Sequence, residues 1–170
     1  AKLLIIHPDI KAKIEHIYTM IGSVKGKGNI TPYAEFNSYF DPEAFDLVVK
    51  SNVPLIINPM ELGVECMVKK SEFVAEKQTK TQVLIQEMID GSYETFDPTS
   101  FAIFDTLSVL ALAKPEFFEF KNCWIDIETY GEKTGQSLIK DKPDGMHCYQ
   151  VIKDVKTTTD FILSALKSID

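Results

Sequence analysis

Gly28 to Ala44 reads GNITPYAEFNSYFDPEA, a polar segment held between two turn signals. Pro32 has no backbone N–H and pushes Thr31 towards an extended conformation, so together with Gly28 it argues against a regular helix here. Asn29, Glu35 and Asn37 combine an acceptor-only carboxylate with two carboxamides that both donate and accept. Such a set can hold a ring hydroxyl from both sides, as a site for ribose or a similar polyol requires. Solvated loop side chains are the plainer reading of the same residues. Asp41-Pro42-Glu43-Ala44 then opens a helix, with Asp at the N-cap and Pro at the first helical position.

On the N-terminal side, Ile14 to Met20 carries Ile17, Tyr18 and Thr19, β-formers that suit a buried strand. It runs directly into the Gly22–Asn29 loop. On the C-terminal side, the helix Pro42 to Lys50 places Phe45, Val48 and Val49 on one face, and Ser51-Asn52 introduces an apolar strand, Val53 to Ile57. This succession of strand, loop, helix and strand predicts an α/β fold with a mainly parallel sheet flanked by helices. Ligands of such sheets sit at the carboxyl ends of strands, which is where the polar stretch falls.

Further out, Ala1 to Ile6 is apolar without a preceding cap and reads as the end of a helix whose start is absent. His7-Pro8-Asp9 starts a short helix. Met60 to Glu94 is helical in character, with Lys69 to Lys80 as a solvated helix face. Asp97-Pro98 caps a helix from Thr99 to Ala113 that is apolar on nearly every side and so expected to be buried. Phe117 to Glu128 and Gln136 to Asp141 form a β-hairpin around Gly131–Gly135. Cys148 to Ile152 is a final strand, and Thr158 to Ile169 an amphipathic helix. No repeat, low-complexity segment or linker interrupts the chain, so 1–170 reads as one domain.

Asp105 is the second position with chemistry in it. A carboxylate among Phe101, Ile103, Phe104, Leu107 and Val109 must be neutralised, hydrogen-bonded or bound to a cation. Alternatively it lies near a helix start on an exposed stripe. Composition narrows the classes of partner. The 170 residues carry a net charge of −7, which disfavours binding to nucleic acid phosphates. No apolar run reaches the about 18 residues that suggest a membrane span. Cys66, Cys123 and Cys148 are scattered, odd in number and without metal spacing, which reads as reduced thiols in a cytoplasmic protein.

From Met20 to Ala44 the chain resembles the inosine–uridine-preferring nucleoside hydrolases. The residues that carry the resemblance are Met20, Gly22, Gly28, Asn29, Ala34-Glu35-Phe36-Asn37 and Asp41-Pro42-Glu43-Ala44. The similarity continues to the C-terminus and covers the second half of the family's fold. It implies hydrolysis of the N-glycosidic bond of ribonucleosides to ribose and free base. Asn29, Glu35 and Asn37 would bind ribose hydroxyls, with Glu35 also stabilising an oxocarbenium-like transition state, and Met20 would lie against the ribose. Asp105 matches the Asp of a family His-Asp-Pro, where it ligates Ca²⁺ and contacts ribose. Phe104 stands where the family has the His that helps to protonate the leaving base, and would line the base pocket. A homo-oligomer is also implied.

Two departures limit what the resemblance implies. The N-terminal D-x-D-x-x-x-D-D motif, which supplies most calcium carboxylates and the catalytic base, is absent. One carboxylate, Asp105, does not make a six- to eight-oxygen calcium site, so the chain alone should neither hold calcium tightly nor hydrolyse a nucleoside. In addition, Met60-Glu61-Leu62-Gly63 replaces the usual L-D-V-T. Two expectations follow: the C-terminal portion of a hydrolase completed by an N-terminal partner chain, or a non-catalytic nucleoside-binding or structural descendant.

Overall fold

The computed structural model describes residues 1–92 and 97–170. In chain order its elements are α1 (Lys2–Ile6), β1 (Ile17–Met20), α2 (Phe36–Phe40), α3 (Pro42–Val49), β2 (Leu55–Asn58), α4 (Met60–Glu65) and β3 (Val68–Lys69). There follow α5 (Lys80–Gly91), β4 (Ser100–Phe101), α6 (Phe104–Ala113), β5 (Phe118–Ile127), β6 (Ser137–Asp141), β7 (His147–Ile152) and α7 (Val155–Ser168). A 3-10 turn, Pro8–Lys13, links α1 to β1.

Five strands form the main sheet in the order β1-β2-β7-β5-β6. β1, β2 and β7 are parallel neighbours, and β5 is antiparallel to both β7 and β6. Only β5 therefore runs against the rest, which makes the sheet mainly parallel, as expected. β2 (LIIN) is buried along its whole length, the continuous apolar run of a strand covered on both faces. One core, with Leu62, Phe73, Leu107, Phe118 and Ile162, covers one face; the other, with Phe45, Leu55, Ile57, Cys123 and Ile125, covers the opposite face. Helix starts follow their side-chain caps: Asp41 Oδ1 accepts from Ala44 N at 2.9 Å and Asp154 Oδ1 from Thr157 N at 2.6 Å. The hairpin closes as read, with Ile125 opposite Ile139.

Three expectations are corrected. Met60–Glu94 is not one helix. Val68-Lys69 leaves α4 to pair antiparallel with Ser100-Phe101, Gln78 takes a positive φ of 52°, and helix resumes only at Lys80; Glu94 lies outside the described residues. Lys69 to Lys80 is therefore a connecting segment and not a helix face. Asp97 does not cap a helix either. Its carboxylate accepts from Thr99 N (2.9 Å), Thr99 Oγ1 (2.7 Å) and Ser100 Oγ (2.6 Å), which turns the chain into β4, and α6 begins only at Phe104. Nor is that helix buried all round, since Val109 and Leu112 are 66% and 64% exposed.

Candidate active site

β1 ends at Met20 and the chain turns at Gly22, whose φ of +77° suits a residue without a side chain. Gly22 N donates to Glu35 Oε2 at 2.9 Å. The same oxygen accepts from Ser38 N (3.2 Å), and Oε1 accepts from Asn37 N (2.9 Å). Glu35 is thus the N-cap of α2 and the tie between that helix and the end of β1. At 2% exposed it is part of the interior. Burial pushes its carboxyl above the usual carboxylate range, the three N–H donors pull it back down, and the nearby Asp105 charge adds to the rise.

Asn37 is exposed, and its Nδ2 donates to Met20 O at 3.2 Å and contacts Met20 Sδ at 3.1 Å. Asn29 Oδ1 accepts from Phe36 N at 2.8 Å, so this side chain braces the start of α2. Thr31 Oγ1 accepts from Ala34 N at 2.9 Å. The stretch 28–35 is irregular and α2 is short, in line with the effect of Gly28 and Pro32. Asp105 lies in the first turn of α6 and is exposed. It is not a carboxylate trapped in an apolar interior. The fold therefore gathers Met20, Glu35 and Asn37 at the end of β1, with Asp105 near enough for its charge to act on Glu35, while Asn29 braces the start of α2.

Phe104 is half-buried, and its ring lies over Gly63, where an added Cβ would come within 1.8 Å of Phe104 Cδ1. Glu61 is a residue whose role the sequence did not disclose. Its buried carboxylate accepts from Ser23 Oγ (2.6 Å), Lys25 N (2.9 Å) and Val24 N (3.2 Å), and so ties the 22–28 loop to α4. Ser137 Oγ accepts from Ser23 N at 2.9 Å and donates to Ser23 O at 3.1 Å. The signal in the sequence was its place in Met60-Glu61-Leu62-Gly63, which does not reveal the loop it holds.

The family model for inosine-uridine preferring nucleoside hydrolases matches residues 1–161. The chain belongs to this nucleoside hydrolase family. Among curated relatives it is 31% identical, over 178 residues, to the pyrimidine-specific ribonucleoside hydrolase RihA of Shewanella baltica, covering 100% of this chain and 54% of that protein. To RihA of Citrobacter koseri it is 30% identical over 83% of this chain and 47% of that protein. Among solved structures, a purine-preferring ribonucleoside hydrolase from Gardnerella vaginalis superposes with a TM-score of 0.85 at 20% identity, covering 96% of this chain and 55% of the other. A plant nucleoside hydrolase, PpNRh1, gives 0.83 at 15% identity, covering 98% and 57%. The chain spans about half the length of the curated relatives it matches, and the matched portion is their C-terminal half.

Within the nucleoside hydrolase pattern, the two departures at Gly63 and Phe104 touch each other. A glycine in place of the usual Thr makes room for a phenyl ring in place of the usual His. The side chains present do not fit a calcium ion by themselves. Glu35 has its oxygens engaged by three N–H donors, which leaves Asp105 as the one exposed carboxylate of the group. Among the described residues no cluster of three or more His, Cys, Asp or Glu could hold a metal. No helix among them is long and apolar enough to cross a membrane.

Proposed function

We propose that this chain is the sugar-binding half of a ribonucleoside N-glycosidase, active when an N-terminal portion completes it. The observation that carries this is the convergence of Met20, Glu35 and Asn37 at the carboxyl end of β1, with the charge of Asp105 within reach of Glu35. Asn37 gives its Nδ2 to Met20 and keeps Oδ1 for a sugar hydroxyl. Glu35 Oε1 holds one N–H and retains a lone pair for another hydroxyl. Its charge would oppose the positive charge that develops on the sugar as the glycosidic bond breaks. Met20 would pack on the ribose, and Phe104 would offer an apolar wall to the base.

The completing portion has a place to go. β1 is an edge strand, an invitation to further pairing. Beside it lies an apolar hollow of about 410 Å³ lined by Leu3, Ile14, Ile17, Ile21, Phe45 and Val48. Leu3 is more than half exposed there, and elsewhere Ile5 and Ile6 on α1 and Val109 and Leu112 on α6 are as exposed. Calcium belongs to this function only through carboxylates supplied by the completing portion, with Asp105 as one ligand. Homo-oligomerisation and a cytoplasmic location belong to the same proposal. The second role, a non-catalytic nucleoside-binding or structural protein, is favoured by one observation: Phe104 has no proton to give a leaving base.

Native mass and metal content of the purified protein, followed by ribose release from uridine and inosine, test this. A complex with a second polypeptide, about one calcium per complex and ribose release support the hydrolase. A lone 19.2 kDa species with no calcium and no ribose release would establish the second role.

A further inference from the structure

Where α6 packs on the sheet, a polar seam of three side chains interrupts an otherwise apolar core. Asn58 and Gln150 have no exposed surface, and Ser108 is nearly as deep. Asn58 ends β2, one step past the last β2–β7 bridge, where the register sets it beside Gln150. Both side chains belong to the α6 face. Gln150 pairs with Phe120, which packs into that core, while Leu55 and Ile57, the alternate residues of β2, belong to the opposite core. α6 packs across β1 and β2. Asn58 Nδ2 donates to the Phe104 carbonyl, the same carbonyl that helix periodicity assigns to the N–H of Ser108, one turn further on.

Asn58 Oδ1, Gln150 Nε2, Gln150 Oε1 and Ser108 Oγ are buried and find no hydrogen-bond partner among the described residues. Native interiors pair nearly all such atoms, because a carboxamide removed from water and left unpaired is strongly unfavourable. Internal water settles where several polar groups converge, whereas empty cavities are apolar. The seam offers donors and acceptors together and carries no charge, which suits water and not a cation. We propose that it is a binding site for internal water joining Asn58, Gln150 and Ser108, and that Asn58 is a positioning residue for the first turn of α6 and hence for Asp105. Asn58 touches no substrate; it acts through the Phe104 carbonyl. The purpose given to Asp105 rests on the hydrolase proposal, but the water site does not, because its test involves no turnover.

The test has two arms. A crystal structure of the wild-type protein, at a resolution that locates ordered water, should show a water within hydrogen-bonding distance of at least two of the three side chains. Carboxamides that instead pair directly with each other or with backbone would overturn the site. In the second arm, Asn58→Val and Asn58→Thr are compared; the two have nearly one shape and differ in the hydroxyl that can still donate to Phe104 O. The Phe104, Asp105 and Thr106 amide resonances should move in Asn58→Val and return towards wild-type positions in Asn58→Thr. Equal displacement in both variants would remove the positioning role. If neither variant folds, the wild-type crystal structure still decides the water site, and Ser108→Ala, which deletes only the hydroxyl, reads out the same three amides. Movement confined to those amides supports the link; wild-type resonances overturn it.

Discussion

Glu35 and Asp105 are the two carboxylates of the candidate site, and they are held in opposite ways. Glu35 is buried and grips the backbone at Gly22, Asn37 and Ser38. Asp105 is exposed and owes its place to the helix turn on which it sits. One carboxylate is a structural member of the fold; the other is exposed and makes little of the fold. Conserving the architecture is thus compatible with losing Asp105, and much less so with losing Glu35.

Replacing both by alanine separates the two roles. Glu35→Ala leaves three backbone donors without their acceptor and should cost about 3 kcal/mol, read from urea unfolding. A loss equal to that of Asp105→Ala would break the contrast. Next in size is Gly63→Ala, whose methyl group enters the space of the Phe104 ring and should cost about 2 kcal/mol. In a Phe104→Ala background the same change should be nearly neutral, and a double-mutant cycle measures that coupling.

A smaller effect depends on pH and contrasts a buried histidine with the exposed Asp105. His147 Nδ1 accepts from Leu55 N at 3.2 Å. Burial holds its pKa below the usual 6.5, with a backbone bond to Val49 working the other way. The unfolded chain therefore takes up the proton first as pH falls. Stability should be full above pH 6.5 and decline below it until the lower folded value is reached. His147→Gln should flatten that slope in thermal melts across the same range, and an unchanged slope would assign it to other groups. The smallest effect is Asp105→Ala, at most about 0.5 kcal/mol of helix-terminus electrostatics, with a melting curve close to wild type.

Much of this contrast was legible before any coordinates. Gly28, Pro32 and the Asp41-Pro42 start are local signals, and here they place the loop and the cap. The parallel strands were read from apolar runs and β-formers. What could not be read depends on partners distant in sequence, or on a choice between two local turns that share one acceptor residue. Val68-Lys69 looks helical until Ser100-Phe101 comes alongside, and Asp97 looks like an N-cap until its oxygens turn back on Thr99 and Ser100. Asp105 fits two readings in sequence, a carboxylate among apolar neighbours or one on an exposed stripe near a helix start, and the structure takes the second. Glu61 is visible in sequence only as part of Met60-Glu61-Leu62-Gly63, and Asn58 not at all, because a lone acid and a lone amide acquire meaning only from the loop and the carbonyl they meet.

The strand order has a consequence for how the chain is made. β7, the last of these five strands in chain order, lies at the centre of the sheet, and its pairing with β2 joins Ile56 to Cys148. On the ribosome, the β1–β2 pair and the β5–β6 hairpin can each form early, yet no strand pairing joins them until residues 147–152 emerge. Such long-range closure is slow and leaves apolar strand edges open in the interval. A chain released just short of His147 would lack the middle of its sheet, and not merely a frayed end.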